Sequence, residues 1–491
     1  MFDKQGLFMR KRPRSWWHVW RPLSAPKTKL PLILSLALFL FTPSLALGQD
    51  AQTTRFGSDL DVFWIVLSAI LVLFMQAGFL AFEVGLVRRK NAVVTAFKNL
   101  GDWTVVSVLF FFVGFAVMFG ASAGGLIGWP PLMPLLESSV DPWFFAFVLF
   151  QLVFAGTGAT IVSGAMAERT TFTGYLVISC LFALLIYPVY GHWVWGSALS
   201  GGEPGWLESL GFIDFAGSAV VHGTGAWAAF AGIKIVGPRL GRYDRNGNRL
   251  SLGTNALHWS VLGTILLWLG WFGFNGGSTL AFNTDTMSVL VNTNVAAASA
   301  GMAGFIHAVG FQRSRDVPEK VLGSILGGLV AITACAHIVP LESALLIGIV
   351  AGWVHNATYE LVLDHWKLDD VVGALPVHGF CGIWGLVAVA IFGVNLPNDR
   401  SVQALIQLLG AGVNFVWAGG TAFVVFYVLR KLGWLRVSGR KEIGGLELLR
   451  GNDERTAEDA EAAELFDMLE DEIPASNGDD RGSSLSRGGW Q

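Results

Sequence analysis

From about residue 58 onward the chain alternates between long apolar stretches and short polar breaks. A helix needs about 20 mostly apolar residues to cross a bilayer. On that measure we expect spans near 61–87, 93–119, 142–166, 172–196, 214–236, 255–275, 288–311, 322–340, 341–363, 371–393 and 402–430. Spans eight and nine are nearly continuous, with Pro340 marking the turn between them. The fold class that follows is an all-α integral membrane protein of about eleven transmembrane helices.

The polar breaks set the orientation, because Lys and Arg concentrate in cytoplasmic loops. One set of loops carries Arg88, Arg89 and Lys90, then Arg169, then Arg239, Arg242, Arg245 and Arg249, then Arg313, Arg315 and Lys320, then Lys367. The alternate set holds only Arg400. The first set is therefore expected in the cytoplasm. An odd number of spans then puts the mature N-terminus outside and the C-terminus inside. Ahead of the spans, residues 1–48 combine a basic start, an apolar run from Leu30 to about Leu47, and small residues Ala46 and Gly48, which reads as a signal peptide. An uncleaved first helix is the competing reading. A membrane domain is expected over 49–430 and a cytoplasmic tail over 431–491. Within that tail, 453–472 could form an acidic amphipathic helix through Leu465, Phe466 and Leu469, and 474–491 reads as disordered.

Composition agrees: 53% of the 491 residues are hydrophobic and 14% charged, too apolar for an ordinary soluble chain of this length. The 60 glycines suit helices packed closely in lipid. Cys180, Cys335 and Cys381 all fall in apolar stretches and read as core thiols. No basic stripe points to nucleic acid. No set of residues has the composition of a metal site, and no cofactor is expected.

The two halves of the chain share a short pattern. Span five reads DFAGSAVVHGTG from Asp214, and span ten reads DVVGALPVHGFCG from Asp370. In each, an Asp at the start is followed eight positions later by a histidine within Val-His-Gly, His222 and His378. Five spans separate them, so the helices run in opposite directions. That is the trace of an inverted 5+5 repeat plus a final helix, with a substrate site near the midplane. Eight helical residues rise about 12 Å, so both imidazoles reach the membrane centre from opposite faces. Ionisable groups at that depth are costly and mark transport paths or proton relays. His192, His258, His307, His337 and His355 lack such matched surroundings and read as histidines hydrogen-bonded within the core.

With further motifs the chain resembles the ammonium transporter family (Amt, with Mep and Rh proteins as relatives), over about residues 58–440. The motifs are FEVGLVRRKN at 82–91, FQLVFAGTGATIVSGAMAER at 150–169, YPVYGHWVWG at 187–196, DFAGSAVVHG at 214–223, WLGWFGFNGGS at 268–278 and the second Val-His-Gly. The resemblance implies a homotrimer with one pore per subunit; the signal-like N-terminus and single-chain architecture suit a bacterial inner membrane. It also implies roles. Phe150, Trp195 and Ser278 match an external ammonium-recruiting site, supported by the buried Asp214. Phe154 and Phe274 match a paired phenyl gate, His222 and His378 the twin histidines, and Trp271 and Thr333 further pore-wall positions.

These side chains suit the ion. Ammonium has four donors and no acceptor, so aromatic faces contributing about 0.5–2 kcal/mol each and a hydroxyl acceptor can hold it. A bare cation cannot enter a dry constriction without a cost of tens of kcal/mol in the idealised limit. The expected solution is deprotonation at the mouth, passage of neutral ammonia, and a separate proton relay through the paired imidazoles. Potassium has no proton to lose. The expected function is therefore electrogenic ammonium uptake by a transporter, not an enzyme. An ammonium sensor with the same fold is the alternative; an Rh-like gas channel is a near relative of the transport reading, which the aromatic set with Trp195 disfavours, and a haem protein using His222 and His378 is the remote alternative. Two departures from the family matter. Ala334 follows Thr333 where Pro is common, which would straighten or repack that helix. The tail keeps Gly445, Leu446 and Glu447 but lacks the usual His-Gly-Glu continuation, which bears on docking of a PII-type signalling protein.

Overall fold

Among the described residues, eleven long helices follow one another in the order the apolar runs predict: α1 (Asp59–Leu86), α2 (Arg89–Phe119), α3 (Pro142–Ala165), α4 (Phe172–Trp195), α5 (Ser218–Val236), α6 (Leu257–Gly277), α7 (Thr284–Phe311), α8 (Val317–Thr333), α9 (Leu341–His365), α10 (Leu375–Phe392) and α11 (Arg400–Lys431). This computed structural model describes residues 57–129, 141–199 and 202–446, all within one unit, Thr54–Gln491. The signal-peptide segment, the acidic stretch 453–472 and the region 474–491 lie outside the described residues. Ten of the eleven helices are long and apolar enough to cross a membrane; α8, with 17 residues, is the short one. A two-stranded hairpin, β1 (Ala121–Ser122) with β2 (Gly128–Trp129), follows α2.

Helix α1 packs along α6. Their backbones meet where small residues allow it: a Cβ added at Gly263 would stand 2.4 Å from the Phe82 nitrogen and 2.6 Å from the Gly78 oxygen. In lipid, where apolar burial gives no drive between helices, such close approach is what holds them together.

The inverted repeat is visible in the backbone. Asp214 and Asp370 are each followed three residues later by a glycine in the left-handed region, Gly217 (φ 108°) and Gly373 (φ 72°). Each glycine leads into a π-helical turn, Ser218–Gly223 and Leu375–Phe380, that carries the histidine. The residue after each Asp donates to the end of a helix in the other half. Phe215 N–H bonds the Ala334 carbonyl at 3.1 Å, and Val371 N–H bonds the Ala165 carbonyl at 3.5 Å. The two halves thus interlock through α3 and α8, which end at the base of α10 and α5.

Four expectations are corrected here. Span eight was placed at 322–340, but the helix ends at Thr333 and residues 334–339 form a turn. Of the two outcomes expected at Ala334, straightening or repacking, a straight continuation is not what is found: the helix ends at Thr333. The carbonyls of Thr333 and Ala334 accept from Ala216 at 3.0 Å and Phe215 at 3.1 Å, which ends the helix without proline. Of the histidines read as core, His192 and His355 are buried and hydrogen-bonded. His258 and His337 are exposed, however, and His337 stacks on Phe215 with centroids 4.1 Å apart. Cys335 and Cys381 are buried free thiols, whereas Cys180 is a free thiol that is only partly buried.

Candidate functional site: an aromatic mouth above a histidine pair

The π turn at the start of α5 begins with four backbone N–H groups that a regular helix would leave unpaired. The Asp214 carboxylate takes all four: Gly217 at 3.2 Å and Ser218 at 2.7 Å through Oδ1, Ala219 at 2.8 Å and Val220 at 2.9 Å through Oδ2. Its own carbonyl accepts the indole N–H of Trp195 at 2.8 Å. One buried residue therefore sets both the entry angle of the histidine helix and the position of the tryptophan. The carboxylate is saturated by its own backbone and has no lone pair aimed at a ligand.

Trp195 and Ser278 are partly exposed and Phe150 is buried. A Cβ on Gly277 would stand 2.6 Å from the Phe150 ring, so only glycine lets that ring lie against the end of α6. The Ser278 hydroxyl donates to the Phe274 carbonyl at 2.9 Å, which leaves its oxygen lone pairs able to accept. Beneath this mouth Phe150 leans on Phe154 with centroids 4.5 Å apart. Phe154 lies face to face with Phe274 at 3.9 Å and 8°. That is van der Waals contact, so nothing passes unless a ring swings aside.

Directly below, His222 packs on Phe274 at 5.3 Å and on Trp271 at 5.1 Å. Trp271 is held by its N–H to the Thr333 hydroxyl at 2.9 Å, and Thr333 in turn donates to the Leu329 carbonyl at 2.7 Å. The Nδ1 atoms of His222 and His378 are 3.2 Å apart. In a neutral pair one Nδ1 carries the hydrogen and the other accepts it. His222 Nε2 is buried without a hydrogen-bond partner. Two nitrogens on opposite axial sides of a haem iron, at about 2 Å each, would stand about 4 Å apart, so this spacing fits a shared proton better than a pair of axial haem ligands. Among the described residues no group of three or more His, Cys, Asp and Glu could hold a metal.

The structure thus brings all ten expected positions into one column: Trp195, Phe150, Ser278 and Asp214 at the top, Phe154 and Phe274 below them, then Trp271, Thr333, His222 and His378. A model of the ammonium transporter family matches residues 63–454. The chain belongs to the ammonium transporter family. Among its relatives, ammonium transporter Amt2 of Archaeoglobus fulgidus is 41% identical over 84% of this chain and 92% of its own length. A solved structure described as a sensor Amt protein is 39% identical, with a TM-score of 0.77, over 79% of this chain and 98% of that one. Mep2 of Candida albicans is 25% identical with a TM-score of 0.72, over 83% and 91%. As a member of this family the chain is a multi-pass membrane protein.

Sequence reading missed a second constellation at the inner face. The Glu168 carboxylate, at a residue with φ 71°, pairs with Arg88 at 2.9 Å and Arg239 at 2.9 Å. Arg239 continues to Asp369 at 2.8 Å, and Arg242 reaches Asp369 at 3.2 Å. Burial pushes both carboxyls up, yet the guanidinium charges, Arg239 foremost, outweigh it and hold Glu168 and Asp369 below the usual carboxylate range. Arg169 caps this lattice, donating to the carbonyls of Ala165, Ala167, Gly237 and Asp369. The described part of the tail is clasped onto it: Val437 N–H bonds Arg169, and the Glu442 carboxylate accepts from Leu240 N–H at 2.6 Å. The loop charges were legible one by one, but five loop and tail segments meeting at one point was not.

Proposed function

We propose that this protein carries ammonium into the cell electrogenically. Ammonium is held at Trp195, Phe150 and Ser278, loses its proton, and crosses the Phe154–Phe274 constriction as ammonia. The proton moves through His222 and His378. The observation that carries this reading is the stack of closed aromatic rings directly above two imidazoles at hydrogen-bond distance. A dry constriction excludes the cation, and a proton-sharing pair under it supplies the separate route. Asp214 acts here as backbone organiser and nearby field, not as a direct ligand. Trp271 and Thr333 fix the wall against which His222 stacks. A homotrimer in a bacterial inner membrane and docking of a PII-type signalling protein at the C-terminal tail belong to the same proposal.

A second reading is favoured by one observation: the likeness to a structure described as a sensor Amt protein. The deciding experiment is transient current in proteoliposomes after an ammonium jump, for wild type and the His222→Ala/His378→Ala double variant. Transport predicts a wild-type current that decays faster as protein density rises. It predicts that the double variant loses the current or its selectivity against potassium. A small charge displacement whose decay ignores protein density would mean binding without turnover, and the sensor reading would replace transport.

A further inference from the structure

The histidine pair holds a proton at the membrane centre, and α1 suggests where it goes next. Phe79, Glu83 and Leu86 stand four and three residues apart and share one helix face. At one end the Phe79 ring lies 6.4 Å from the His378 ring. At the other end Leu86 lines an inner cavity of about 550 Å³, together with Arg239, Arg249, Glu319, Tyr359 and Val371. Glu83 lies between them and is 2% exposed. Its carboxyl fills the notch left by Gly164 on α3. A Cβ at Gly164 would stand 2.8 Å from Cδ and Oε1 of Glu83 and 2.8 Å from Val372, the chain that leads into the His378 turn. The carboxyl therefore sits beside the approach to His378, one turn above the cavity.

Its surroundings suit an exchangeable proton. Asn99 on α2 donates to Glu83 Oε2 at 2.9 Å, while its own Oδ1 is buried with no donor. Asp102, on the same helix, accepts from the Tyr175 hydroxyl of α4 through Oδ2, and its Oδ1 is also unpartnered. Lys98 is buried and donates to the Thr170 carbonyl at 2.6 Å. Ser163 of α3 is buried beside Glu83. The charged and titratable groups around Glu83 are thus Lys98, Asp102 and Tyr175. Two ionised carboxylates against one ammonium would leave a net negative charge in the membrane interior, at a cost of several kcal/mol. One shared proton removes that charge, and the two unpartnered oxygens are acceptors for it or for the water that carries it.

We propose that Glu83 is the proton acceptor on the cytoplasmic side of the histidine pair, with Asn99 as its positioning residue. The proposal rests on the electrogenic reading above. In the step, an imidazolium N–H of His378 breaks and its electron pair stays on nitrogen. The proton forms an O–H bond on the Glu83 carboxylate through an intervening water, and then leaves to water in the inner cavity. The carboxylate is regenerated, so the cycle needs no further reactant.

The test is the ammonium-induced current of reconstituted Glu83→Gln and Glu83→Asp across a pH series, beside wild type, with infrared difference spectra of a pH jump on the same samples. Glu83→Gln is expected to lose roughly tenfold or more of the current. It should also lack a carboxyl band that appears in wild type. Glu83→Asp is expected to restore current with a shifted pH midpoint and a shifted band. Wild-type current with none of these changes in either variant overturns the role of Glu83 and leaves electrogenic transport standing. Absence of sustained wild-type current overturns the transport reading itself. Should Glu83→Gln fail to assemble, Glu83→Asp decides: an unmoved midpoint and an unmoved band overturn the proposal.

Discussion

Asp214 and Asp370 begin the same device in opposite halves, yet the two mouths they serve are built from different material. Both residues precede a left-handed glycine, a π turn and a histidine. The outer carboxylate accepts four backbone N–H groups. The inner one accepts from Leu375 at 2.8 Å and leaves Oδ1 buried without a partner. Around Asp214 stand aromatic faces and neutral acceptors. Around Asp370 stands a lattice in which Arg88, Arg239 and Arg242 face Glu168 and Asp369. Depth of the histidine comes from the shared turn; the chemistry of each mouth comes from its neighbours. In the uptake proposed above, a surface of π faces would suit cation capture, while a locked lattice with more guanidinium than carboxylate would discourage recapture at the opposite mouth.

The sharpest way to break this comparison is to remove each carboxylate. Asp214→Ala strands four buried N–H groups, each worth about 1–3 kcal/mol when left unpaired. It should abolish both transport and stable assembly. Asp370→Ala strands fewer and should leave a folded protein with reduced flux. Equal losses, read by thermal melting and by current, would mean the two turns are not differently loaded.

Next in size is the inner lattice. Arg239→Met removes the partner of two buried carboxylates and should destabilise by about 3–5 kcal/mol. The sign with pH follows from the lowered pKa values of Glu168 and Asp369. Their contribution is complete above the ordinary carboxylate pKa of about 4 and is lost as pH falls through the depressed values. Wild type should therefore hold its melting temperature from neutral pH down to about pH 5 and lose it at lower pH. Arg239→Met should melt lower at neutral pH and depend less on acid. A parallel pair of curves would show that the lattice does not couple to stability.

The smallest effect belongs to the outer mouth. Trp195→Leu removes one cation–π face worth about 0.5–2 kcal/mol and should weaken half-saturation by ammonium by about twofold to thirtyfold, with a smaller change in maximal current. A fall in maximal current at unchanged half-saturation would place Trp195 in the pathway wall instead of the capture site.

Much of this molecule can be read from the chain by itself. Eleven long helices and the paired Asp…His pattern follow from apolar run length and a repeated spacing, because a bilayer imposes such constraints residue by residue. The column from Trp195 to His378 was also legible, since its members lie in motifs that can be matched one at a time. Other features are decided only by the folded whole. The end of α8 at Thr333 depends on carbonyls captured by Phe215 and Ala216 from another helix. The ion lattice joins Arg88, Glu168, Arg239 and Asp369 from four loops far apart in sequence. The setting of Glu83 depends on a notch at Gly164 and an amide at Asn99. Each is a partnership between segments with no shared local pattern, and a hydrogen bond or ion pair forms only where packing brings its two ends within about 3 Å.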